Sequence, residues 1–198
     1  MGAGRAIAKN GAALAALLLL AGCLSLGGKV PAELISLTPD ASAPAGALAA
    51  GPRRDALSVR DPEADRRLDV QRVPVRIDDA SIAYLKDATW VERPTRQFRH
   101  LLAETIRARG NRLVLEGGDS DGQAKTTLSG RLIDMGYDAR RQSVIVRYDA
   151  LREETGGAVT SRRFEAIVPG VPAKARPVAT ALNKAANAVA AQVADWVG

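Results

Sequence analysis

Few residues of this 198-residue chain are placed to do chemistry, for it has one cysteine, Cys23, and one histidine, His100. Cys23 closes the run Leu20-Ala21-Gly22-Cys23, where an Ala/Leu stretch gives way to small residues. A lone thiol therefore stands where an exported chain is cut, and covalent modification of its sulfur is the chemistry that this placement favours. His100 falls off the apolar face of a predicted helix, beside Arg96 and Arg99, and reads as a surface histidine rather than a general base. The chain has no Gly-x-Ser-x-Gly elbow, His-Glu-x-x-His pair or Gly-rich phosphate loop. With one histidine and a committed cysteine, zinc has too few preferred ligands. Residues 116–122 (Glu-Gly-Gly-Asp-Ser-Asp-Gly) carry spaced carboxylates, but a calcium loop needs a later acidic ligand that they lack, and two strands must be joined there. Asp78 and Asp79 are adjacent, so in a strand they would point to opposite faces and form no dyad. Trp90 and Trp196 are candidates for a lipid or partner contact, against core packing as the competing reading. No catalytic or metal-ligating residue is assigned, and no enzymatic activity is expected.

The elements ahead of Cys23 explain its position. Arg5 and Lys9 precede the apolar run from Ala12 to Leu20, which is the layout of a secretory signal. A membrane-crossing helix needs about 20 apolar residues. This run is shorter, and Gly27, Gly28 and Lys29 follow closely. With Leu20 at −3, Ala21 and Gly22 at −2 and −1, and Cys23 at +1, the segment resembles a bacterial lipoprotein lipobox. The resemblance implies a diacylglyceryl group on the sulfur, removal of residues 1–22 and acylation of the new amine. A plain cleaved signal is the alternative, and it leaves the place of the sole cysteine unexplained. One acyl chain binds a bilayer marginally, whereas two or three hold stably. No cofactor is expected beyond this covalent lipid.

Cleavage leaves about 176 residues, the size of one domain. Loss of Arg5 and Lys9 lowers the formal net charge from +6 to +4. That mild excess suits anionic head groups or an acidic partner surface, or simply solvated arginines. Aromatic residues make up 4%, too few for stacking on single-stranded nucleic acid, so none is expected as a partner. With Cys23 lipidated no thiol remains for a disulfide, and the core alone must hold the domain.

Residues 23–30 read as a flexible tether and 31–198 as an α+β domain. A first strand is expected at 33–37, followed by an exposed Pro/Ala/Gly/Ser loop over 38–55, whose length suggests mobility or a partner contact. A short strand follows at 56–60, then a turn or single helical turn from Asp61-Pro62-Glu63. Residues 72–77 alternate as a half-buried strand, which Pro74 places at a sheet edge. A further short strand spans 81–86. Pro94 opens a helix whose face is Phe98, Leu101, Leu102, Thr105 and Ile106, stopped at Gly110-Asn111. Strands are expected at 112–116, 125–138, 142–153 and 158–168, the last three joined by hairpins. In the third, Val144, Val146, Tyr148 and Ala150 oppose Arg147 and Asp149, giving the sheet a dry and a wet face. A helix over about 174–197 carries Val178, Leu182, Ala185, Val189, Val193 and Trp196. Two helices on one face of a mostly antiparallel sheet satisfy these patterns.

The order of landmarks resembles a known family. A lipobox and short strand precede Leu68-Asp69-Val70-Gln71-Arg72-Val73-Pro74-Val75-Arg76, then Ile82-Ala83-Tyr84-Leu85 and Ala88-Thr89-Trp90. Pro94 then opens a helix with Leu101-Leu102, Phe164-Glu165-Ala166 precedes Pro169, and the last helix ends on Asp195-Trp196-Val197. Over roughly 33–197 this is similar to the ABC-type transport auxiliary lipoproteins, relatives of the lipoprotein of the paraquat-inducible system. The resemblance implies a non-enzymatic, periplasm-facing part of a Gram-negative envelope. Its partners would be an ABC permease with its ATPase and a mammalian-cell-entry (MCE) domain protein, which together move lipid between the membranes. The domain would dock on such a partner or on copies of itself. Leu24, after the lipidated cysteine, is not the aspartate associated with inner-membrane retention, so the outer membrane is the expected location. A structural or stress-related envelope lipoprotein with no role in transport is the alternative, and a periplasmic lipid-modifying enzyme a third.

Overall fold

The computed structural model describes residues 33–110, 112–117 and 124–198. It is an α+β fold in which nine strands form one mixed sheet and two helices cover one face. The strands are β1 Leu34–Ile35, β2 Leu57–Val59, β3 Glu63–Ala64, β4 Arg72–Arg76, β5 Ile82–Trp90, β6 Val114–Glu116, β7 Thr126–Asp138, β8 Ser143–Glu154 and β9 Val159–Val168. The helices are α1 Pro94–Arg107 and α2 Ala175–Val197.

β7 organises the sheet. Along one side it pairs antiparallel with β8, which pairs antiparallel with β9. Along its other side it takes β2, β3 and β4 in succession, all parallel. β4 pairs antiparallel with β5, and short parallel pairs attach β1 to β5 and β6 to β2. The long ladders are thus antiparallel and the parallel ones brief.

The alternating pattern of β8 produces the expected two faces. Val144, Val146, Tyr148 and Ala150 are buried, while Arg147 and Asp149 lie partly open to solvent. Phe98 of α1 packs edge-on against Tyr148, and Trp196 of α2 tilts against Phe164, which pairs with Tyr148 in the sheet. Both helices therefore rest on the same face. Pro94 sits in the first turn of α1, where its missing N–H costs nothing, and Gly110 ends that segment at φ 69°. On α2 the buried positions include Ala181, Ala185, Ala186, Ala190 and Ala194, small side chains that let the helix lie close to α1 and the sheet.

Four expectations need correction. Pro74 is not at an edge, because β4 lies between β5 and β7. A proline is tolerated there because the β4–β5 register shifts between Arg72 and Pro74, and because Gly136 faces it on β7. A Cβ at Gly136 would stand 2.5 Å from the Pro74 carbonyl oxygen and 2.9 Å from Cγ of its ring. The turn expected from 61–63 comes slightly later: Glu63–Ala64 pairs with Arg131 and Leu132, and the N–H groups of Leu68 and Asp69 then donate to the Asp65 carbonyl. The first strand is two residues long, and beyond it the chain is fixed by side chains instead of a ladder. Finally, the loop at 38–55 is exposed, yet its first part is held. The N–H of Leu37 donates to Gln97 Oε1, Thr38 to Asn183 Oδ1, Asp40 to Asn187 Oδ1 and Ala43 to Glu104 Oε1. Polar residues of α1 and α2, Gln97 and Asn187 among them buried, thus strap the backbone down as far as Ala43.

Candidate functional site

The residues of the expected modification site, Leu20, Ala21, Gly22 and Cys23, lie outside the described residues, as does most of the acidic segment 116–122. Trp90 is fully buried at the end of β5, and its indole N–H finds no acceptor among the described residues. Trp196 is half-buried at the end of α2. The two rings belong to different elements: Trp90 lies inside the hydrophobic core, and Trp196 packs against it from the end of α2. Asp78 and Asp79 occupy the bend between β4 and β5, not a strand. Asp78 accepts the Ala80 N–H, which holds its carboxyl below the usual range, and Asp79 pairs with Arg140 at 2.8 Å.

His100 is half exposed and its Nδ1 lies 2.6 Å from Glu116 Oε2. Glu116 is also held by Arg107 at 2.6 Å, with Arg99 at 4.0 Å. A base held by a carboxylate through one ring nitrogen would turn the other to a hydroxyl or thiol, whereas His100 Nε2 lies 3.2 Å from Arg99 Nη2. Among the described residues no cluster of His, Cys, Asp and Glu could hold a metal ion.

The sheet face turned away from the helices carries the densest charge. One irregularity creates it: the β7–β8 register slips between Leu132 and Asp134, so Ile133 is an extra residue. Before the slip even-numbered residues of β7 face the helices (Leu128, Leu132), and after it odd-numbered ones do (Met135, Tyr137). Asp134 is thereby delivered to the other face, where it meets three arginines. Arg67 Nη2 and Arg147 Nη1 each lie 2.9 Å from its carboxylate, and Arg76 Nη2 at 3.1 Å. Its side chain is only 5% exposed, so the three cations compensate a nearly buried charge. Arg147 also binds Glu165 through Nε at 2.5 Å.

Next to this cluster a groove of about 780 Å³ runs over β7, β8 and β9, lined among others by Arg60, Asp61, Arg131, Asp149, Leu151 and Arg163. Arg131 pairs with Asp65. Arg163 grips Asp149 with two hydrogen bonds of 2.5 and 2.6 Å. Gly130 lets β7 and β8 approach at the groove floor, for a Cβ there would meet the Asp149 carbonyl oxygen at 2.1 Å. Below it Tyr148 donates its hydroxyl to the Ser129 carbonyl at 2.6 Å, and burial pushes its phenol upward, so it remains a donor. Alternating charges around a largely apolar floor suit recognition of a surface that is charged at its rim and apolar at its centre.

The Arg163 hydrogen bonds hold the Asp149 carboxyl below the usual carboxylate range. A carboxyl whose folded value is depressed contributes stability that is complete above its unfolded value, near ~3.9, and is lost as pH falls through the folded value. The urea midpoint is therefore expected to fall as pH drops below about 4. Asp149→Asn should remove part of that fall; parallel pH profiles for the two proteins would contradict this role. Asp149 is 37% exposed, so solvent screens the pair and the effect is modest.

From sequence, Arg147 and Asp149 read only as the wet face of their strand, and neither the Asp134 cluster nor the groove is assigned as a site. The available signal was the parity switch of apolar residues along β7, together with charges at alternate positions of β8 and β9.

A family model described as "ABC-type transport auxiliary lipoprotein component" matches residues 36–194. A crystal structure of a Xanthomonas campestris protein of the DUF330 family is similar in fold, with a TM-score of 0.69 at 17% identity over 83% of this chain and 94% of that one. The structure of another protein, described only as uncharacterized, aligns with a TM-score of 0.64 at 14% identity, over 84% of this chain and 100% of that one. No curated protein matches the sequence.

Proposed function

From the premise that the chain belongs to the ABC-type transport auxiliary lipoprotein family, whose model spans 36–194, we propose that it is an outer-membrane lipoprotein serving a lipid transporter as its docking subunit. The family is one of transport auxiliary components and not of enzymes. In this reading Cys23 carries a diacylglyceryl group and an N-acyl chain. The folded domain faces the periplasm and meets an MCE-domain protein fed by an ABC permease and ATPase.

The observation that carries the reading is the position of the match, which starts 13 residues after the Leu20-Ala21-Gly22-Cys23 segment and covers nearly all of the described domain. Among the described residues no helix is long and apolar enough to cross a membrane, so attachment falls to the lipid. The anchor confines the domain to a plane, which raises its effective concentration near the transporter and lets a weak interface suffice. The charged face around Asp134 and the adjacent groove are the surface best suited to that interface, being polar, concave and internally paired. Leu24 in place of aspartate supports the outer membrane as the destination.

Affinity purification of the full-length protein from its own envelope tests the proposal. It is expected to recover an ABC permease, its ATPase and an MCE-domain protein, with recovery reduced by about tenfold or more when Arg147 and Asp149 are both changed to alanine. Recovery of envelope proteins without any transporter component would favour a structural lipoprotein instead.

A further inference from the structure

The strap ends at Ala43, and the chain beyond it differs in kind. Residues 43–52 (Ala-Pro-Ala-Gly-Ala-Leu-Ala-Ala-Gly-Pro) carry no polar side chain. Residues 44–55 are all exposed, and Leu48 at their tip is 90% exposed, the most open large apolar side chain described. A turn with Gly46 at φ 84° and the Ala47 N–H donating to the Pro44 carbonyl pushes that tip outward. Arg53 and Arg54 come next, in a short 3-10 turn ending at Asp55. Neither arginine has an ion pair among the described residues, whereas Arg67, Arg76, Arg147 and Arg163 are all held by carboxylates. An apolar tip beside two open guanidinium groups is a pattern that water leaves unsatisfied and a lipid head-group region satisfies on both counts.

We propose that residues 44–54 are a membrane-contact loop: Leu48 and its flanking alanines enter the boundary between head groups and acyl chains, and Arg53 and Arg54 bind phosphates of an anionic lipid surface. A bilayer fits better than a peptide partner, because residues 43–52 offer no side-chain donor, acceptor or pocket with which to read a sequence. The inference rests on the lipid anchor at Cys23, and the geometry permits both contacts together. Ten residue steps from Cys23 to Glu33 reach at most about 35 Å. Glu33 pairs with Arg176 at the start of α2, and the strap reaches Asn187 farther along that helix, about 16 Å away at the rise of an α-helix. The tether reaches about twice that distance, so the strap sets no separation from Glu33 to Asp40 that the tether cannot span.

The test uses the mature lipidated protein in vesicles of phosphatidylethanolamine and phosphatidylglycerol. Because lipidation occupies Cys23, Leu48→Cys can carry an environment-sensitive fluorophore, with Ser161→Cys on β9 as the exposed control. The label at 48 is expected to shift to the blue and to be quenched by spin labels on the acyl chains about threefold more than the label at 161. Adding Arg53→Gln and Arg54→Gln should lower the partitioning of the loop by about twenty-fivefold, since each arginine near an anionic surface contributes roughly fivefold. A protein that floats with the vesicles while both labels remain equally wet would overturn the loop assignment alone. So would burial of the label at 48 only when a partner protein is added. A protein that does not float at all would remove the anchor, and this proposal with it.

Discussion

Changing Cys23 to alanine is expected to move the protein from the membrane fraction to the soluble periplasmic fraction while leaving the domain folded. The size of the effect follows from the attachment. Each buried methylene contributes about 0.8 kcal/mol, so a diacylglyceryl group with an added acyl chain holds the protein stably, whereas a single chain is marginal. No helix among the described residues can substitute for it. The contact at 44–54 offers one leucine and two arginines, so its affinity alone is weaker than that of the lipid by at least about two orders of magnitude. Fractionation after osmotic shock measures the outcome. The domain should keep its near-ultraviolet circular dichroism, because the core of the described residues runs from Ile35 to Val197, clear of Cys23. Retention of the variant in the membrane, resistant to salt, would mean that something other than the sulfur holds it.

The second large effect concerns the fold. Gly130→Ala is expected to destabilise the domain by at least about 3 kcal/mol, a sizeable part of the 5–15 kcal/mol that holds a typical domain together. The added Cβ would stand 2.1 Å from the Asp149 carbonyl oxygen, 2.9 Å from the Tyr148 hydroxyl and 3.0 Å from Ala150 Cα. Two of these three neighbours are backbone in a ladder that cannot yield without breaking the pairing of β7 and β8. The φ of 143° adds strain of its own. Gly156→Ala in the β8–β9 hairpin separates the two causes, because its φ is 119° but nothing lies within 4 Å of the new atom. That variant should lose only about 1–2 kcal/mol. Equal losses in urea titrations of the two variants would assign the effect to backbone strain and not to the close approach.

Local regularity decided what could be read from the residues. The strands β7, β8 and β9 and both helices announced themselves because their apolar residues repeat with a period of two or near 3.6, flanked by glycine and proline. Pro74 misled because its missing N–H argues for an edge, and the compensating feature, Gly136, lies 62 residues farther along the chain. The pairing of Glu63–Ala64 with β7 left no periodic trace, two residues being too few to show one. The strap over 37–43 was hidden for a related reason. Its backbone donors are satisfied by Gln97, Asn183, Asn187 and Glu104, which in the sequence look like ordinary solvent-facing helix positions.

The charged face was the least legible part. Asp134 meets Arg67, Arg76 and Arg147 only through the extra residue in β7, and the groove joins residues of β3, β7, β8 and β9 with the segment that follows β2. The change from Leu128 and Leu132 to Met135 and Tyr137 recorded the slip, but an alternating strand does not state which partner lies opposite its polar side chains.

The intact mass of the protein isolated from its native membrane is the most direct measurement of the central claim. A chain beginning at Cys23 and heavier than its amino acids by a diacylglyceryl group and one further acyl chain is the expected result. A species that still begins at Met1, or one whose Cys23 is a free thiol, would contradict it.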